Sequence, residues 1–313
     1  MLNNYKRYIF FSDLHGNYHA LQYFYEYLRN LKEKTKVYFL GDLVGYYEFD
    51  LRIMEIFYKM ISEFDLVLIL GNHHAKLLNT YFYTSFNANC PILLYGDILI
   101  NGSMRKQIKD LLGLSKITEQ TKIFNRNTII SHGGITDPLN DYYYPDLKFL
   151  DYNQKKFEKN TDYIFGHTHH CFLHEDNNHR RFINAGSLGI PRNKEIYGSF
   201  LEIKPDTIEI KKIKYDLDLQ FEDNKRLPNS IKNRVYFGEN SKYADENLEA
   251  FNSLELNIFN KWKLNTKIFK RLVVINNETK ILKLMDGYLR IEKNVEKKYD
   301  NIDSLVEGLN DEI

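Results

Sequence analysis

Apolar runs and apolar stripes alternate along the first seventy residues. Tyr8-Ile9-Phe10-Phe11 is a continuous apolar run of strand length, and Leu21, Phe24, Leu28 and Leu31 follow at helical spacing. The spacing predicts a buried strand and then a helix from about His19 to Lys34. The order repeats: Val37-Tyr38-Phe39-Leu40 reads as a strand ending in Gly41-Asp42, residues 49–64 as a helix, and Leu66 to Leu70 as a strand ending in Gly71-Asn72. Such βαβαβ alternation predicts a mainly parallel sheet covered by helices.

Farther on, the segment from about Leu77 to Lys122 reads as mixed and mostly helical. Strands return at Thr128 to His132 and Asp162 to His167. Cys171-Phe172-Leu173 and Phe182-Ile183 flank the turn signal Asp176-Asn177-Asn178 and predict a hairpin. Ser199–Ile203 and Thr207–Ile213 are further strands joined at Pro205-Asp206. Beyond about Gly238 the character changes. A polar helical stretch precedes strands at Arg271–Ile275, Lys280–Met285 and Tyr288–Ile291, the last two joined by an Asp286-Gly287 turn, with an acidic helix over 302–309. The reading is therefore a principal domain over 1–239 and a small α+β accessory segment over 240–313.

Composition narrows the partners. Lys and Arg number 43 against 42 Asp and Glu, a net charge of +1, so there is no strong nucleic-acid signature and no basic footprint for anionic lipid. No stretch approaches the roughly 20 apolar residues of a membrane span. The two cysteines, Cys90 and Cys171, offer no disulfide framework. A cytoplasmic location with no membrane partner is the expectation.

The residues just after the predicted strands carry the chemistry. They are Asp13 and His15, Asp42, Asn72 and His73, His132, then His167 and His169. In open α/β sheets ligands bind at the carboxyl ends of strands, so these groups can converge on one rim. Carboxylate, imidazole and amide oxygen without thiolate favour manganese, iron or zinc. Seven ligands exceed the needs of one ion with an open position but suit two ions about 3.5–4 Å apart, which a carboxylate such as Asp42 can bridge. Glycine beside almost every ligand permits tight turns and close approach of a phosphate to the backbone. Any one histidine at a strand end is more often packed or solvated than metal-bound; it is the ordered set that points to a metal centre.

That order (Asp-x-His, Gly-Asp, Gly-Asn-His, Ser-His-Gly, Gly-His-x-His) resembles the calcineurin-like metallophosphoesterases. Gly41 to Tyr46, His132 to Leu139 with nearby Tyr142, and Asn184 to Arg192 are similar, more narrowly, to the small bacterial and archaeal predicted phosphodiesterases; the likeness spans about 7–239. The resemblance implies an α/β fold, a four-layer α-β-β-α sandwich. It implies one ion on Asp13, His15, Asp42 and His169, and a second on Asp42, Asn72, His132 and His167, two divalent ions per chain with manganese favoured. His73 matches the family's histidine at the scissile phosphate, which can protonate the leaving group. Asn17, Tyr46 and Arg192 are candidate substrate contacts.

Two departures stand out. His74 occupies a position where the family usually has Asp or Glu, so the partner expected to orient His73 is missing or replaced. The Asp-Arg-Gly that follows Gly-Asp in the protein serine/threonine phosphatases is absent, since Gly45-Tyr46 stand there. The expected function is hydrolysis of a phosphodiester or phosphomonoester by a hydroxide that two ions activate. A protein or dinucleoside-polyphosphate phosphatase is the alternative, and a non-catalytic scaffold of the same fold is the alternative of another class.

Overall fold

A computed structural model describes residues 5–47, 51–78, 102–153, 156–193 and 196–224, together with four strands between 269 and 299. Strand β1 (Arg7–Phe11) leads into helix α1 (Tyr18–Arg29), β2 (Thr35–Phe39), α2 (Leu51–Glu63), β3 (Asp65–Leu68) and α3 (Asn72–Leu78). The expected βαβαβ unit is present: β1 pairs with β2, and β2 with β3, in parallel. Helix α1 stops earlier than the apolar spacing suggested. Asn30 closes it with amide bonds back to the last turn, and Leu31 still packs against the core from the loop.

The chain continues through α4 (Gly102–Leu112), β4 (Thr118–Ile123), β5 (Arg126–Ser131), α5 (Phe149–Asn153), β6 (Thr161–Phe165), β7 (Phe172–Glu175), β8 (Arg181–Asn184), β9 (Gly198–Ile203), β10 (Ile208–Ile213) and α6 (Leu217–Asp223). The segment read as mostly helical thus contains a strand at its end. β4 is almost wholly polar and lies at a sheet edge, where its antiparallel pairing with β5, rather than any apolar alternation, holds it. Residues 79–101 of that segment lie outside the described residues. The expected hairpins β7–β8 and β9–β10 are both antiparallel.

Two five-stranded sheets result, in the orders β10-β9-β1-β2-β3 and β4-β5-β6-β8-β7. Alternate residues of each strand serve different layers. Tyr8 and Phe10 of β1 join Tyr38, Ile130, Ile164, Ile183 and Leu201 in an apolar layer between the sheets. Ile9 and Phe11 face the other way, toward Leu21, Phe24 and Leu28 of α1 and Ile53 and Phe57 of α2. Tyr163, Phe165 and Phe182 of the second sheet pack outward on Tyr143, Phe149 and Phe157. The expected four-layer α-β-β-α sandwich is therefore what forms. Leu217 and Phe221 of α6 belong to the α1–α2 layer, so the principal core extends at least to that helix.

The remaining strands, β11 (Phe269–Val274), β12 (Thr279–Leu284), β13 (Gly287–Glu292) and β14 (Val295–Tyr299), form a separate antiparallel sheet in sequential order. Three of them were expected; β14, with two lysines and a glutamate among five residues, was not. The polar helical stretch after Gly238 and the helix over 302–309 lie outside the described residues.

Candidate metal centre

Each sheet delivers its candidate ligands from loops that follow parallel strands. Asp13 and His15 follow β1, Asp42 follows β2, Asn72 and His73 open α3 after β3, His132 follows β5, and His167 and His169 follow β6. The structure brings all eight together. Nitrogen and carboxylate atoms of Asp13, His15 and His169 lie within 4.8 Å of one another, as do those of Asp42, His132 and His167, and those of His15, Asp42 and His73.

The loops are held in an uncommon conformation. Asp13, His15, Asp42, His167 and His169 all have φ between 52° and 68°, the left-handed region that non-glycine residues avoid. Such backbone costs on the order of 1–3 kcal/mol per residue and persists only where surrounding structure fixes it. Here the loops fix one another. The Asp13 N–H donates to the Gly41 carbonyl at 2.9 Å, the His15 N–H to the Asp42 carbonyl at 2.9 Å, and the His167 N–H to Asp13 Oδ2 at 2.9 Å. The end of β8 and the segment after it brace them: Ser187 Oγ donates to the Asp13 carbonyl at 2.7 Å, and Asn184 Nδ2 to the Gly166 carbonyl at 2.6 Å.

Two of the neighbouring glycines serve this packing. A Cβ on Gly71 would stand 2.1 Å from Asp42 Oδ1, and one on Gly166 would stand 2.0 Å from Ser12 Oγ and 2.9 Å from Asp13 Oδ2.

Backbone carbonyls set the histidine tautomers. Nδ1 of His15 donates to Val44 O at 3.1 Å, Nδ1 of His132 to Leu40 O at 2.8 Å, and Nδ1 of His169 to Ile190 O at 2.7 Å. A neutral ring so bonded turns a bare Nε2 lone pair inward. Nε2 of His15 and His169 then face each other at 3.0 Å, and Nε2 of His132 faces Asn72 Oδ1 at 3.1 Å. The first is an acceptor-to-acceptor contact, which repels unless a positive charge sits between the two rings. Among the described residues, Asp13 Oδ1 and His167 Nε2 are buried with no hydrogen-bond partner. A buried, donor-poor set of carboxylate, imidazole and amide oxygen fits divalent cations.

The electrostatics carry the same demand. Burial opposes the charge of Asp13 and Asp42, yet the facing imidazoles hold both carboxylates well below their ordinary range. Burial, then the charge of His132, pushes His167 down to about 3; burial, then Arg192, pushes His169 to about 3. His132 is the exception. Burial lowers it, but the charges of Asp42 and Asp13 win and raise it to about 9. A proton on that ring faces the carboxylates of Asp42 and Asp13.

Comparison with known proteins agrees with this geometry. The sequence model of the calcineurin-like phosphoesterases matches residues 6–191. The chain belongs to that family. Over 252 residues this calcineurin-like phosphoesterase is 30% identical to an uncharacterized protein of Methanocaldococcus jannaschii, covering 72% of this chain and 96% of that protein. The fold is similar to a hypothetical protein of Pyrococcus horikoshii (18% identical, 75% of this chain and 99% of that chain, TM-score 0.61). It is also similar to a metallophosphoesterase from Sphaerobacter thermophilus (18% identical, 75% and 100%, TM-score 0.55). Among the described residues no helix is long and apolar enough to cross a membrane.

The other candidates divide. Tyr46 is buried and stacks on His73, with ring centres 5.6 Å apart, and its hydroxyl accepts from Arg192 Nη2 at 3.2 Å, so both border the centre. Asn17 has another task. Fully buried, it caps α1 by accepting from the Ala20 N–H and donates to the Gly189 carbonyl.

His74 departs from the expectation too. Its ring points away from His73 into the Gly-Asp loop, where Nε2 accepts from the Leu43 N–H. Burial, the largest influence, pushes it down to about 3 and keeps it neutral. The group beside His73 is Asp42: its Oδ1 accepts from the His73 N–H at 3.0 Å, and its Oδ2 lies 3.8 Å from the His73 ring. Consecutive residues on α3 point about 100° apart, so residue 74 could not face the same way as residue 73. Sequence reading did not single out Tyr144, which lies beside Tyr142 near His167. The run of three tyrosines, Tyr142 to Tyr144, was the available signal.

Proposed function

We propose that the chain is a two-metal phosphoesterase acting on phosphodiester or phosphomonoester bonds. The observation that carries it is the set of bare nitrogens and carboxylate oxygens turned on one another, above all His15 and His169 at 3.0 Å with Asp13 Oδ1 3.4 Å from His169. One ion is assigned to Asp13, His15, Asp42 and His169, and the other to Asp42, Asn72, His132 and His167, with manganese favoured and iron or zinc allowed. Ions held there supply Lewis-acid charge to the phosphoryl oxygens and make water acidic enough to attack near neutral pH.

The chain's own residues do the rest. The carbonyls of Leu40, Val44 and Ile190 hold the imidazoles in the tautomer that presents Nε2. Asp42 Oδ1 orients His73 through its backbone amide, and Tyr46 holds the His73 ring in place by stacking. His73 so placed donates a proton to the leaving oxygen as charge builds there. Residues 1–239 carry this activity, and 240–313 form an accessory segment. The test is a hydrolysis screen of manganese-loaded protein against mono- and diesters, with chelator-treated protein as control. Turnover abolished by chelator supports the reading; a loaded protein inert toward every ester class refutes it and leaves the scaffold alternative.

A further inference from the structure

Beside the candidate centre, residues 141–145 form an aromatic rim that the proposed chemistry leaves unused. Tyr143 anchors it from below: it is buried, its ring stacks on Phe149 at 4.2 Å with an 8° tilt, and its edge meets Phe165. On either side of it, Tyr142 is 49% exposed and Tyr144 38% exposed. Asp141 pins the rim by accepting from the backbone amides of Thr136 and Asp137 at 3.1 and 2.9 Å.

The two outward rings lie nearly parallel, 12° apart with centres 5.9 Å apart. The near end touches the centre, where the Tyr142 ring lies 4.1 Å from the His167 ring; the far end reaches His170, 5.8 Å from Tyr144.

Large aromatic rings half in water on a pinned rim are the preorganised form of a stacking surface. Its place beside a phosphoester centre says which part of the substrate it serves. Tyr142 stands next to His167 and Tyr144 stands one ring farther out. A planar group held off by a spacer reaches both rings. We propose that Tyr142 and Tyr144 form a stacking step for the base of a nucleoside phosphoester, which makes nucleotides or nucleotide esters the substrate class. This rests on the phosphoesterase reading for its chemistry, though not for the binding.

The experiment pairs two readouts. Saturation-transfer NMR follows AMP, ribose 5-phosphate and phosphotyrosine on metal-free protein, and KM is measured on manganese-loaded protein for nucleoside esters and their base-free counterparts. The base should confer on the order of tenfold tighter binding and lower KM. That advantage should be lost in Tyr142→Leu and Tyr144→Leu, kept in the corresponding Phe variants, and accompanied by unchanged manganese content. Equal handling of base-bearing and base-free compounds overturns the proposal, as does a preference for phosphotyrosine. Loss of manganese in Tyr142→Leu overturns it as well, because the ring then serves His167. If no ester is hydrolysed yet AMP still binds over ribose 5-phosphate through these tyrosines, the phosphoesterase reading fails and the stacking step stands.

Discussion

Replacing His74 with Phe removes the acceptor for a buried amide while keeping a ring in its place. The Leu43 N–H that His74 Nε2 accepts is buried next to Asp42, the residue assigned to both ions. A buried donor left without a partner costs about 1–3 kcal/mol. At about 2–4 °C per kcal/mol for a domain of this size, the melting temperature should fall by several degrees. The effect should reach the metal, because Asp42 sits at φ 61° and only its neighbours hold it there. Supporting contacts around a metal site are typically worth about 10–100-fold in affinity, so manganese affinity should fall at least tenfold. His74→Gln can place an amide oxygen near the position of Nε2 and should recover most of both losses. The assays are urea and thermal melts of metal-free protein and a manganese titration. The reasoning is refuted if the Phe variant matches wild type in both, or if Gln and Phe behave alike.

His73→Asn should slow alkyl phosphoesters by about 10²–10⁴-fold and nitrophenyl esters only mildly, since nitrophenolate leaves without a proton; steady-state rates showing equal losses would point to electrostatic stabilisation instead. Acid should destabilise the metal-free protein. His74, His167 and His169 have folded values near 3 against an ordinary 6.5, so their contribution is present above about pH 6.5 and lost as pH falls toward 3. His132, raised to about 9, acts oppositely, its contribution being lost as pH rises through 9. Urea midpoints in chelator should therefore drop from pH 7.5 to pH 5, and a flat profile contradicts the burial of neutral rings. A chain ending at residue 239 should stay folded and bind manganese, because Leu217 and Phe221 complete the α1–α2 layer before that point; circular dichroism and metal content decide, and an insoluble product would place the boundary elsewhere.

Much of this centre was legible because strands that bury both faces write themselves as continuous apolar runs. β1, buried along its whole length, is one such run, and the polar residue after it had to lie at the sheet's rim. β4 hid because an edge strand needs no apolar face, and its partner in β5 is set by register rather than by its own pattern. His74 and Asn17 were read by their neighbours in sequence, whereas their tasks depend on direction. A one-residue step along α3 carries His74 to the Leu43 amide, and the start of α1 turns Asn17 into a cap. The left-handed backbone of five candidate ligands left no mark in a sequence where glycine stood beside them to suggest that glycine alone took the strain.

Metal stoichiometry tests the central claim most directly. Asp42 Oδ2 lies 3.3 Å from Nε2 of His132 and 3.9 Å from Nε2 of His15, which places it between the two ligand groups. Elemental analysis of manganese-loaded wild-type protein and of Asp42→Asn, alongside His15→Ala, measures whether it joins them. Two ions per chain in wild type, both weakened in Asp42→Asn and chiefly one weakened in His15→Ala, is the predicted result. One tightly held ion, retained unchanged in Asp42→Asn, would contradict the account.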